Sequence, residues 1–341
     1  MYFRNLYSKL LGTLSIAVVL TSCASIPSAI PILGKDPIVN SISGREGTDG
    51  PVLVVKIDDT APAHPQVGLE DADLVYIEQV EGGLTRLAAV FSSKIPTRVG
   101  PVRSARISDI EILEQFGRVA FAYSGAQKKL LPVIASANVE NMGAQRQPAS
   151  IYTTDPNRVS PVAMILRADL LMQKIKDEGK TIVSSKNMGW NFGSGSDTGT
   201  EISSAKVSWP ASSYSAQWSE NEKRWLLLHS GAPDISESGK QLGPTTFVIQ
   251  IVSITPSEYH DKIGGVTPFT ATVGKGKGYV LRDGKYIPAN WSRASAVEGT
   301  RWTDVQGQEV LFAPGQIWIA LTDKEPIFTP VIADASSSPS K

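Results

Sequence analysis

Short apolar runs, each closed by charged or glycine-containing stretches, organise the first half of the chain. Val52–Ile57 reads as an apolar strand ending at Asp58 and Asp59. From Asp73 to Val80, Leu74, Tyr76 and Glu78 alternate with Val75 and Ile77, the period of a strand. Leu87–Phe91 is apolar throughout, which predicts a third strand covered on both faces. The period then lengthens. Ile107, Ile110 and Leu113 share one side of a predicted helix over Ser104–Phe116. Arg118–Tyr123 is again strand-like, and Ala126–Ala135 predicts a helix with Lys128 and Lys129 turned outward. Ser160 as N-cap and Pro161 at the first helical position open a longer predicted helix, which carries Met164, Ala168, Leu171 and Ile175 and is closed by Gly179. Strands alternating with helices predict an α/β first domain, a mixed sheet with flanking helices, over residues 51–186.

After Gly179 the pattern changes. Asn187–Gly199 is rich in Gly, Ser and Asn and reads as a connecting segment, residues 187–200. Beyond it strand and turn dominate: Lys206–Trp209, Arg224–Leu228, Thr246–Ile254, Tyr279–Arg282 and Ile317–Leu321 predict a β-rich second domain over residues 201–332. Asp283–Gly284 signals a hairpin. Gly-Lys-Gly-Lys-Gly at 274–278 reads as a mobile hairpin turn in preference to an anion-binding nest. All seven tryptophans follow Gly179, spread over predicted strands, which suits a core better than an exposed sugar platform. Residues 333–341 read as a disordered tail.

The N-terminus adds a targeting segment. Arg4 and Lys9 precede Leu10–Leu20, an apolar run too short to span a bilayer, and the run ends in Leu20-Thr21-Ser22-Cys23. This resembles the bacterial lipobox, so residues 1–22 are read as a signal peptide, Cys23 as the lipidated residue and residues 23–50 as a tether. Cys23 is the only cysteine in the chain, which leaves no disulfide and no thiolate chemistry. The expected location is extracytoplasmic, with the membrane as a partner through Cys23.

Charge excludes one partner class. The chain has 33 basic and 33 acidic residues, and loss of Arg4 and Lys9 with the leader leaves a slightly acidic body. Nucleic acid is therefore not an expected partner. Common catalytic patterns are missing too. There is no Gly-x-Ser-x-Gly elbow, and His64, His229 and His260 stand in no metal-ligand spacing. What remains is polar density around the first three strands: Asp58, Glu78 and Glu81, with Arg86, Arg103 and Arg106. A helix N-terminus favours negative charge, so arginines beside the start of the Ser104–Phe116 helix call for protein carboxylates or a bound anion. Two readings stay open. The arginines bind an anion, with Asp58, Glu78 and Glu81 as acidic candidates for a divalent metal if the site is an enzyme's. Alternatively, all six form an internal ion-pair network.

Four blocks carry a resemblance: Pro65-Gln66-x-Gly68-Leu69, Ala72-Asp73-Leu74-Val75-Tyr76, Val80-Glu81-Gly82-Gly83-Leu84-Thr85-Arg86 and Gly100-Pro101-Val102-Arg103-Ser104-Ala105-Arg106. They resemble the YerB-type bacterial lipoproteins, described as domains of unknown function with an N-terminal and a C-terminal part. Gly284-Lys285-Tyr286-Ile287 with Trp291, and Pro314-Gly315-Gln316-x-Trp318-Ile319, resemble the C-terminal part. One departure is Pro148-Ala149-Ser150, where the family often has Pro-His-Asn. The arginine-bearing turn and helix are also similar in arrangement to LytR-CpsA-Psr envelope proteins, which handle polyprenyl-pyrophosphate glycans. These resemblances imply an envelope lipoprotein whose ligand is a phosphorylated lipid carrier or wall glycan, held at Arg86, Arg103 and Arg106. The alternatives are a metal-assisted phosphotransferase or hydrolase, and a structural partner-binding protein.

Overall fold

The computed structural model describes residues 38–195 and 198–331. Cys23, the leader, most of the tether and the C-terminal tail lie outside the described residues. In the first half the strands are β1 (Leu53–Asp58), β2 (Leu74–Gln79), β3 (Thr85–Phe91), β4 (Arg98–Val99), β5 (Val119–Ala122), β6 (Val139–Asn141), β7 (Tyr152–Thr154) and β8 (Met164–Arg167). Three helices accompany them: α1 (Ile107–Glu114), α2 (Leu131–Ser136) and α3 (Ala168–Asp177). The second half adds β9 (Thr200–Trp209), β10 (Ser212–Ser219), β11 (Arg224–His229), β12 (Ala232–Pro233), β13 (Thr246–Ile251) and β14 (Ile254–His260). It continues with β15 (Val266–Thr270), β16 (Gly274–Arg282), β17 (Lys285–Arg293), β18 (Arg301–Asp304), β19 (Ile317–Thr322) and β20 (Ile327–Pro330).

Strands from both halves enter one mixed sheet of fifteen strands, whose main path runs β12-β11-β10-β9-β17-β16-β13-β19-β2-β3-β1-β5-β6. The halves meet where β19 lies parallel to β2, with Trp318 opposite Val75 and Ile319 opposite Tyr76. The sheet is thus continuous across the expected 187–200 connection, and Trp190 of that segment is buried and stacked on Phe312. Among the described residues helices are few, and strands dominate both halves.

Strand alternation explains the two cores. Val55 and Ile57 of β1, Val75 and Ile77 of β2, and Leu87 and Ala89 of β3 point into one cluster, which α3 and strands β9–β11 cover through Leu171, Val207, Tyr214 and Trp225. Val54, Tyr76 and Val90 point the other way, toward Ile112 and Leu113 of α1, Ile134 of α2 and the indoles of Trp190, Trp291 and Trp302. Both faces of the central strands are therefore dry, as the apolar run of β3 predicts. Six of the seven tryptophans are buried and Trp218 is half-buried, so they are core residues.

Three local expectations need correction. Met164–Arg167, expected inside a helix opened by Ser160–Pro161, is strand β8. It pairs with β7 and β4, and the helix starts only at Ala168. A distant partner strand satisfies this backbone, which local periodicity does not register. The helix expected from Ala126 forms only over Leu131–Ser136. Gly274–Gly278 is neither a turn nor a nest but the start of β16, paired residue by residue with β17. Its glycines admit two indoles. A Cβ on Gly276 would meet Trp291 Nε1 at 2.7 Å, and one on Gly278 would meet Ile249 O at 2.4 Å and the Trp302 ring at 2.9 Å. The Asp283–Gly284 hairpin forms as expected, both residues at positive φ between paired Arg282 and Lys285.

Candidate functional site

Arg86 opens the site. In register it stands opposite Asp58 of β1 and Glu78 of β2, so one row of side chains crosses three strands at their ends on the α1 face of the sheet. Behind the row, Lys56 is fully buried between Glu78 and Asp109 of α1; its Nζ donates to both, and the Asp109 contact is 2.8 Å. Asp109 also accepts the Arg106 backbone N–H at 2.6 Å, so the N-terminus of α1 receives its negative charge from within the helix.

Each arginine meets a different fate. Arg103 Nε donates to Asp58 Oδ2 at 2.5 Å, and Thr60 binds the other oxygen of that carboxylate. Arg106 Nε lies 2.7 Å from Glu81 Oε1, and Thr267 of β15 donates to the same oxygen. Among the described residues, Arg86 donates only to the Ser104 carbonyl at 3.1 Å, and no carboxylate oxygen lies within 4.0 Å of it. All three arginines, with Asp58 and Glu81, line one cavity of about 750 Å3, the size of a small-molecule site. The turn joining β14 and β15 supplies another wall, tied across the opening by hydrogen bonds from Gln127 to Thr267 and from the His260 N–H to Gln127. Five cationic side chains line the cavity, counting Lys128 and Lys262, against three carboxylates, counting Asp261.

The energetics follow from burial and neighbours. Burial, then the charges of Arg106 and Arg103, pull Arg86 down to about 10. Burial would raise Glu81, but Arg106 and Thr267 hold it below the usual carboxylate range. Burial and Asp109 push Glu78 up to about 7 against the opposing pull of Lys56. Of the acidic candidates, Asp58 and Glu81 reach the cavity and Glu78 does not, being fully buried beside Lys56. Each already faces a cation: Arg103, Arg106 and Lys56 respectively.

A second cluster, unseen in the sequence, lies on the opposite face. Asp59 takes hydrogen bonds from Tyr214 at 2.6 Å and Thr85 at 2.5 Å. His64 and His229 stack beside it with ring centroids 4.5 Å apart. His64 Nδ1 is 3.0 Å from Asp234 Oδ1. Burial lowers the His64 pKa, but Asp234 and Asp59 outweigh it and raise the value to about 10. His64 borders a cavity of about 670 Å3 that shares Thr60, Arg103 and Pro161 with the arginine cavity. Lys56 and Asp109 were likewise missed, Lys56 because an apolar reading of β1 passes over it.

The fold and the motif blocks together define a class. The chain belongs to the DUF3048 family of proteins of unknown function, matching its N-terminal domain over residues 40–181 and its C-terminal domain over residues 205–319. It is 22% identical over 286 residues to the Bacillus subtilis (strain 168) protein named "Putative lipoprotein YerB", covering 84% of this chain and 85% of that one. The crystal structure of YerB from Bacillus subtilis superposes with a TM-score of 0.73 at 19% identity, covering 85% of this chain and 99% of YerB. Among the described residues no helix is long and apolar enough to cross a membrane.

Proposed function

We propose that this protein is a lipid-anchored, extracytoplasmic module that binds an anionic envelope ligand, a phosphorylated lipid carrier or wall glycan, in the arginine cavity. The observation that carries the reading is Arg86: a buried guanidinium on a cavity wall, beside two other guanidinium groups and, among the described residues, without a carboxylate of its own. A phosphate or pyrophosphate oxygen supplies the charge and the acceptors that Arg86 lacks. Anchoring at Cys23 rests on the lipobox and on the name of the YerB relative. A metal-assisted reaction at Asp58, Glu78 or Glu81 has less support, because an ion there would have to displace Arg103, Lys56 or Arg106. The division into two parts joined at 187–200 is a proposal of the same standing; limited proteolysis that cuts first inside that segment supports it.

Calorimetric titration of the detergent-solubilised full-length chain with pyrophosphate, and with a polyprenyl phosphate in mixed micelles, tests the reading. Saturable binding that weakens with salt is expected. Absence of binding by either ligand at low ionic strength refutes it.

A further inference from the structure

We propose that Asp59, His64 and His229 form a binding site for a divalent transition-metal ion of the zinc class. They arrive from three places: Asp59 directly after β1, His64 in the turn after Ala61–Ala63, and His229 at the end of β11. One candidate ligand atom from each lies within 4.8 Å of the others. Both imidazoles turn Nε2 toward one carboxylate: His64 Nε2 is 3.5 Å from Asp59 Oδ1 and His229 Nε2 is 3.8 Å from Oδ2. Zinc holds such atoms at about 2.0–2.2 Å, so tetrahedral ligands stand about 3.4 Å apart. The carboxylate-to-imidazole spacings already approach that value. The ligand atoms of the two stacked rings lie within 4.8 Å of one another, so completing the set requires the rings, now 17° from parallel, to tilt together.

The surroundings are those that orient metal ligands. Asp234 Oδ1 holds His64 Nδ1, which leaves Nε2 as the donor atom, the carboxylate–histidine pairing typical of such centres. Asp234 Oδ2 is buried with no hydrogen-bond partner. Tyr214 and Thr85 each donate to one oxygen of the Asp59 carboxylate, and Gln66 Nε2 lies 3.2 Å from both Asp59 Oδ1 and His64 Nε2, the place an ion would take from it. Of the three residues, His64 borders the cavity of about 670 Å3, the side from which a water would have to supply the fourth ligand. With the ion taking the place of the proton that His64 otherwise carries, two imidazoles and a carboxylate suit zinc or a neighbouring divalent ion better than magnesium or calcium.

The test uses the full-length chain in detergent, stripped with EDTA and dialysed. Titration with zinc, and with cobalt read through its visible d–d bands, should give one ion per chain and a cobalt spectrum with nitrogen ligands. His64→Gln and His229→Gln should each weaken zinc binding at least a hundredfold. Asp234→Asn should weaken it by about 10–100-fold as an orienting residue. A folded parent that takes up neither ion stoichiometrically overturns the proposal, as does parent-like affinity in both histidine variants. Should those variants fail to fold, the parent's cobalt spectrum decides: its absence, or bands without imidazole character, is equally fatal.

Discussion

Replacing Arg86 by Met separates a ligand site from an ion-pair network. Met keeps an unbranched apolar stem and removes the guanidinium with its charge. Arg86 falls from 12.5 to about 10, a shift that makes its charged form about 3 kcal/mol less favourable in the folded state than in the unfolded one. The guanidinium recovers part of this through its bond to the Ser104 carbonyl, worth about 1 kcal/mol net. Without ligand, Arg86→Met should therefore be more stable than the parent by about 2 kcal/mol at neutral pH. For a base whose folded pKa is depressed, the penalty is full below pH 10 and fades as pH rises toward 12.5, so the variant's advantage should shrink over that window. Anion binding should move the other way. Hydrogen bonds to a charged group contribute about 1.5–3 kcal/mol, so pyrophosphate affinity should fall about ten- to a hundredfold. Urea unfolding and calorimetric titration, run on both proteins, measure the two quantities. A variant that loses stability, or one that binds pyrophosphate as the parent does, refutes the reasoning.

Three further outcomes are expected. Arg106→Ala strands the largely buried Glu81 carboxylate and should cost about 3–5 kcal/mol in urea unfolding, the opposite sign to Arg86→Met. The folded pKa of Glu78, about 7, lies above its ordinary 4.5, so its stabilising contribution is fully present below pH 4.5 and lost as pH rises to 7; Glu78→Gln should flatten that decline in unfolding free energy, and an unchanged slope contradicts the assignment. Cys23→Ala should release the protein from the membrane or leave the precursor uncleaved, read by fractionation and blotting; a processed, membrane-bound variant would contradict lipidation.

Much of the strand content was legible because strand burial leaves a period. Leu74, Tyr76 and Glu78 share the α1 side of the sheet, and Val75 and Ile77 share the other, as alternation requires. The Asp283–Gly284 turn was legible for a related reason, since a two-residue hairpin needs positive φ at both positions and few residues adopt it readily. Met164–Arg167 was not, because a strand's partner lies elsewhere in the chain and helical spacing over four residues imitates a strand's apolar run. The electrostatic oddity of arginines at a helix start called for negative charge nearby. It did not reveal that Asp109, inside α1, answers the helix N-terminus, or that Arg86 and not Arg106 goes without a carboxylate.

From its sequence alone, much of the chain's strand content, its family blocks and the polar row around β1–β3 could be read, because periodicity, spacing and turn chemistry are local. Its tertiary structure decided that both halves share one sheet, and that the adjacent Asp58 and Asp59 serve opposite faces, one toward Arg103 and the other toward Tyr214. It also decided that His64 and His229, far apart in the chain, stack against one carboxylate. Such contacts depend on which strand lies beside which and on how the sheet folds over its own face. Both are settled by burying apolar surface across the whole molecule, and neither leaves a trace in the spacing of neighbouring residues.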